Sequence, residues 1–166
     1  LVPYFGRIDF RADGEDEASS LYVGIHSLYD SKSKRNLIYD WRAPISTMFY
    51  DFDFGKAYYQ SPVGRIDGMI EFKRQFRIRN SIMEIMIQNS INIDDELLQK
   101  ELSTTSDERM KNIVATIQRE QNAIIRDEES HNLIIQGVAG SGKTSIALHR
   151  VAYILYRFKG QITSDD

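Results

Sequence analysis

Near the end of the chain, Gly137-Val138-Ala139-Gly140-Ser141-Gly142-Lys143-Thr144 sets a glycine five positions before a Gly-Lys-Thr triplet, the spacing of a phosphate-binding loop. Each residue type in it has a physical task. Glycines let successive backbone amides turn inward toward one anion, and a helix that starts at the last glycine aims its positive end at the same point. Lys143 then neutralises β- and γ-phosphate oxygens and stabilises charge on a transferring phosphoryl group, the catalytic role in this octet. The Thr144 hydroxyl is the ligand for Mg²⁺. The chemistry this predicts is binding of a nucleoside triphosphate with its metal, followed by phosphoryl transfer to water.

Such a loop works only between a strand and a helix. Leu133-Ile134-Ile135 is a short apolar run suited to a buried parallel strand, and Ser145 to Tyr156 reads as a helix. Further upstream, Thr105-Ser106-Asp107-Glu108 fits a capping box that opens a long amphipathic helix ending near Arg126. Its apolar stripe is Met110, Ile113, Val114, Ile117, Ile124 and Ile125. Position 121 belongs to that stripe, yet it is Gln121, and a polar amide on a core-facing seam needs a hydrogen-bonding partner. Asp94-Asp95-Glu96 reads as the acidic start of another short helix through Leu102, and Ile82 to Gln88 is rich in helix-compatible Met, Ile and Glu.

The first half has a different texture. From Tyr4 to Arg79, aromatic and β-branched runs are punctuated by Gly, Asp, Asn, Ser and Pro, which predicts short strands in a small antiparallel sheet or open barrel. Leu21, Val23 and Ile25 alternate, as do the residues around Leu37 to Trp41. Between Arg65 and Arg79 the pattern puts Ile66, Gly68, Ile70, Phe72, Phe76 and Ile78 on one face and Arg65, Asp67, Glu71, Lys73, Gln75, Arg77 and Arg79 on the other. Arg74 and Met69 break the pattern, and a bulge joining two strands is the alternative to one continuous strand. The basic residues here, interleaved with Phe72 and Phe76, read as a solvated strand face ahead of a nucleic-acid or protein contact, because the aromatics point away from Lys73, Arg77 and Arg79. Lys32, Lys34 and Arg35 read as a charged hairpin turn, and Asp53-Phe54-Gly55 as a turn between strands. His26, His131 and His149 are too scattered for a zinc site, and Trp41 reads as a core aromatic.

Composition narrows the classes. The 166 residues are 42% hydrophobic, enough for a real core, and the net charge of -3 gives no overall attraction to a polyanion. The chain has no cysteine, which excludes disulfides, thiolate metal sites and cysteine nucleophiles. No leader-like segment or run of about 20 apolar residues is present, so a cytoplasmic protein without membrane contact is expected. The chain opens at Leu1 and stops soon after the helix that follows the loop, which predicts a fragment that by itself does not hydrolyse ATP.

Several strings carry a resemblance. Thr116-Ile117-Gln118-Arg119-Glu120-Gln121-Asn122, then Leu133-Ile134-Ile135, Gly137 to Ser145 and Ala147-Leu148-His149-Arg150, resemble the start of the first motor domain of UvrD/Rep-type superfamily 1 DNA helicases. Pro3-Tyr4-Phe5-Gly6-Arg7-Ile8-Asp9-Phe10, Asp40-Trp41-Arg42-Ala43-Pro44-Ile45 and Lys73-Arg74-Gln75 look like the HelD branch, the helicase-like factors that associate with bacterial RNA polymerase. The resemblance implies that Gln121 is the Q-motif glutamine that reads the adenine edge, and that Ser145 lies where the helix's next turn faces nucleotide. It implies an α+β protein: a β-rich accessory domain over 1–80, a helical linker over 81–104, and over 105–166 the first βα unit of a P-loop NTPase, RecA-like motor domain. The implied cofactors are ATP and Mg²⁺, and the implied partners are DNA, through regions mostly outside this segment, and RNA polymerase. Hydrolysis would drive translocation or unwinding of DNA, or remodelling of the polymerase. An orthodox repair helicase is one alternative, and a polymerase-binding module in which the nucleotide acts as a conformational switch is another.

Overall fold

The computed structural model describes residues 3–90, 119–130 and 132–162. It is a mixed α+β structure that divides into two units, Leu1–Glu108 and Arg109–Asp166.

Among the described residues, the first unit is built on seven strands: β1 (Gly6–Ala12), β2 (Ser19–Gly24), β3 (Leu28–Asp30), β4 (Arg35–Asp40), β5 (Gly55–Ser61), β6 (Gly64–Arg79) and β7 (Ile82–Ser90). Their order is β3-β4-β2-β1-β6-β5, with β7 also on β6. All pairs are antiparallel except β2 with β4, where Val23 lies opposite Tyr39 and Gly24 opposite Asp40. β6 holds the sheet together because it is long enough to serve three partners. One edge pairs with β1, and the other pairs first with β5 and then with β7. Gly68 sits at the crossing of β1 and β5, where a Cβ would run into the Arg11 carbonyl oxygen and the Phe10 ring, so only glycine permits that approach.

The alternating sequence of β1 sends Ile8 and Phe10 into the core, with Leu21, Val23, Ala57 and Ile70 from neighbouring strands. Met48 and Phe49 close over these residues from the short helix α1 (Thr47–Asp51), which a 3-10 turn over Pro44–Ser46 precedes. This helical corner was not anticipated. Five residues give no helical period to read, and its start is marked only by Pro44, whose fixed φ suits the first helical position. Asp53-Phe54-Gly55 therefore turns from a helix into β5, not from strand to strand.

Two sequence expectations differ from the structure. Ile82–Ser90 is a strand, not the opening of a helical linker; it pairs with β6 from Arg79↔Ile82 to Phe72↔Ser90. Ladder pairing to a long neighbour outweighs the modest helix preference of Met and Glu. The faces of β6 also differ from simple alternation. Register shifts between Asp9 and Phe10, where Asp9 faces Phe72 but Phe10 faces Ile70, so Glu71 is an extra residue and parity reverses beyond it. Lys73 thereby lands opposite buried Ile8, while Phe72, Arg74 and Phe76 move to the outer face. There the Arg74 guanidinium lies 4.4 Å from the Phe72 ring centroid, and Tyr4 packs edge-on to Phe76. Lys73 is no solvated cation: its amine donates to the Phe52 carbonyl at 2.7 Å and lies over the Phe49 ring. The run around Leu37 to Trp41 alternates as expected, with Ile38 and Asp40 on its buried side and Leu37 exposed. Asp40 tolerates burial because Arg42 donates to it with its backbone amide and both sides of its guanidinium.

In the second unit, residues 119–125 are helical, and the helix expected over Ser145–Tyr156 runs from Lys143 to Arg157. The strand expected at Leu133-Ile134-Ile135 is not formed; residues 133–138 have no ladder partner among the described residues, and Ile134 is 94% exposed. A parallel strand exists only through its neighbours, and apolar character cannot substitute for them. The helix expected from Asp94, the capping box at Thr105 and the stripe residues Met110 to Ile117 lie outside the described residues. Among those residues no helix is long and apolar enough to cross a membrane.

Candidate nucleotide-binding site

The octet 137–144 turns sharply into the loop helix. Gly140 and Gly142 take positive φ, 80° and 82°, which a side chain would resist, and Gly142 is the residue from which the helix starts. The Ser141 amide donates to the Val138 carbonyl at 3.3 Å, and the Ile146 amide to the Gly142 carbonyl at 2.9 Å. Lys143 folds back across the turn, donating to the carbonyls of Gly137 at 2.9 Å and Val138 at 2.7 Å. A Cβ on Gly137 would press on the Ser141 hydroxyl, so this side of the turn is closely packed. Val138, Ala139, Ser141, Thr144 and Ser145 are exposed. The arrangement concentrates a lysine charge and a helix N-terminus at one accessible turn, with a hydroxyl at the second helical position. That set of groups can receive an anion, and the Thr144 oxygen suits a hard cation accompanying it.

Gln121 comes to the same place from the 119–125 helix. Its amide nitrogen lies 3.8 Å from the point that a Cβ on Gly142 would occupy. The structure thus brings together Gln121, Gly137, Gly142 and Lys143, residues far apart in sequence at one end and adjacent at the other.

Sequence reading missed the residues that make this meeting possible. Ile146, Arg150, Tyr153 and Arg157 share one face of the loop helix at i, i+4, i+7 and i+11, and Ile146 and Tyr153 are buried there, as is Ile125 in the preceding segment. Arg150 donates to the Ile124 carbonyl at 2.7 Å and reaches the Ser130 carbonyl at 3.4 Å. The Tyr153 hydroxyl donates to Glu128 at 2.6 Å, Arg157 donates to the same oxygen at 2.9 Å, and the Arg126 guanidinium lies 5.2 Å from the Tyr153 ring centroid. Burial pushes the Glu128 carboxyl up, but hydrogen bonds from Tyr153 and Arg157, with the charges of Arg157 and Arg126, outweigh it and hold the group below the usual carboxylate range. Burial, and then the Glu128 contact, push the Tyr153 hydroxyl up. The helical spacing of 146, 150, 153 and 157 was the available signal; polar residues on that stripe hid it.

No curated protein matches the chain. The family model described as DNA helicase IV HelD, N-terminal domain, matches residues 2–109. That match spans the whole β-rich sheet and well over half of the 166 residues. The strings that build β1, the Asp40–Arg42 corner and the basic part of β6 all lie within that match, and the chain belongs to the HelD N-terminal domain family of DNA helicase IV.

Proposed function

We propose that this chain supplies the ATP-binding segment of a superfamily 1 helicase-like ATPase of UvrD/Rep type, in which hydrolysis drives DNA translocation or the remodelling of RNA polymerase. The observation that carries the reading is the convergence of Gln121 on a turn whose lysine, glycines and helix start are arranged for phosphate. ATP would place its triphosphate at the amides of 137–144, with Lys143 exchanging the two loop carbonyls for β- and γ-phosphate oxygens. Gln121 would take the adenine edge. Mg²⁺, held through Thr144, supplies charge neutralisation on the phosphates. The chain's own contribution is to orient the triphosphate and to hold a cation where negative charge develops.

The test is equilibrium binding and turnover of ATP with magnesium by the whole protein. Binding that Lys143→Ala weakens by roughly a hundredfold, the loss expected for a desolvated phosphate-lysine contact, supports the reading. Absence of adenine-nucleotide binding in the unsubstituted protein ends it.

A second reading draws on where the family match lies. It falls on the β-rich unit, which phosphate chemistry does not need, and the outer end of β7 leaves Ile82, Met83 and Met86 about half exposed or more. In this reading the unit is a polymerase-binding module and the nucleotide is a conformational switch.

A further inference from the structure

Gln121 is held against the phosphate loop by what fixes the end of its helix, where residues 119–125 run into a turn at Arg126. Its C-terminal carbonyls lack intrahelical partners. Arg150 supplies one: its guanidinium bridges the Ile124 carbonyl, three residues beyond Gln121 and on the same side of the helix, to the Ser130 carbonyl in the following turn. Arg150 is itself seven residues after Lys143, two helical turns along the same face. The rest of that face repeats the tie through Tyr153 and Arg157 on Glu128, while Arg126, anchored on Asn122, lies over the Tyr153 ring.

We infer that Arg150 is a positioning residue for nucleotide selectivity: by clamping the end of the Gln121 helix to the loop helix, it sets the distance between base reader and phosphate turn. The inference rests on the adenine-nucleotide reading above. The physical basis is the difference in range of the two recognitions. A side-chain amide reads a base edge only within about 2.7–3.2 Å and in good alignment, whereas attraction between an ammonium and a triphosphate falls off slowly with separation. Loosening the clamp therefore harms base discrimination far more than phosphate affinity.

The experiment measures binding of ATP, GTP and inorganic tripolyphosphate, each with magnesium, to the whole protein and to Arg150→Ala, Arg150→Lys, Gln121→Ala and the Arg150→Ala/Gln121→Ala double variant. Arg150→Ala is expected to lower the ATP-over-GTP ratio by roughly tenfold, as Gln121→Ala does, with no further loss in the double variant and tripolyphosphate affinity kept within about twofold. A fall in Gln121→Ala alone overturns the role of Arg150 and leaves the adenine reading standing. No change in Gln121→Ala, or no ATP binding by the unsubstituted protein, overturns the adenine reading itself. Equal losses for ATP and tripolyphosphate in Arg150→Ala mark a merely structural arginine and overturn the inference. Should Arg150→Ala fail to fold, Arg150→Lys decides. An ammonium satisfies one carbonyl but does not bridge two, so an intermediate ratio supports the clamp and an unchanged ratio overturns it.

Discussion

At the scale of single residues, the two ends of the chain are constrained by different physics. Lys143 is committed to function: its two carbonyl contacts lie on an exposed loop, where hydrogen bonds contribute little net stability. Lys143→Ala should change unfolding free energy by less than about 1 kcal/mol while removing nucleotide affinity, a combination that thermal melts and binding titrations check together. Gly68 has the opposite character. The Arg11 carbonyl and Phe10 ring occupy the space of its missing side chain, and backbone cannot rotate aside as a flexible side chain can. Gly68→Ala should destabilise the β-rich unit by about 1–3 kcal/mol in denaturant titrations and leave ATP binding unchanged. The phosphate loop was legible because its work is done by residue types at fixed offsets, and local spacing is what a sequence displays. Gly68 was not, because the residues opposite it, Ala57 and Ala12, lie 11 and 56 positions away in sequence, a meeting that no local pattern encodes.

Elements were legible where periodicity acts alone and illegible where a neighbour decides. β1 follows its period of two directly, whereas the loop helix was legible as a helix but not in which face it buries, since that face carries Arg150 and Arg157 beside Ile146 and Tyr153. β6 required knowledge of its partner, since one extra residue at Glu71 moved Lys73 from the solvent side to the core side and Phe72 the other way. Ile82–Ser90 became a strand because β6 offered it an edge, and Leu133-Ile134-Ile135 has no such edge among the described residues. Docking of the loop helix on the 119–130 segment gives this scale its own prediction. Glu128 is held below the usual carboxylate range when folded, so its contribution is present above the ordinary carboxylate pKa and is lost as pH falls through the lowered one. Amide exchange protection over the Lys143–Arg157 helix, corrected for intrinsic rates, should therefore fall as pH drops from ~6 to ~3. Glu128→Gln, which cannot change charge in that range, should flatten that dependence; an identical acid profile in both proteins would show that other groups control it.

For the whole molecule, the net charge of -3 provides no broad attraction to nucleic acid, and on the outer sheet face Arg7 pairs with Asp9 and Arg65 with Asp67 within their own strands, while Arg11 pairs with Glu71 across β1 and β6. With Arg7, Arg11 and Arg65 each neutralised by a neighbouring carboxylate, this part of the face offers a polyanion little net charge, whereas a protein partner demands no net positive charge. The motor and switch readings then separate through two substitutions placed in different units. Ile70 is fully buried at the centre of the β-rich core, and Ile70→Ala should cost that unit about 2–5 kcal/mol. If the β-rich unit is the polymerase-binding module, Ile70→Ala weakens polymerase capture while ATP affinity persists, and Lys143→Ala stops ATP turnover while capture persists. If the chain serves instead as part of a DNA-translocating motor, Lys143→Ala removes strand displacement, and polymerase capture is absent from the unsubstituted protein as well. Pull-down with purified polymerase, run beside ATP turnover and strand displacement on the same three proteins, distinguishes the two because each reading assigns the β-rich unit a different consequence for the same loss of core packing.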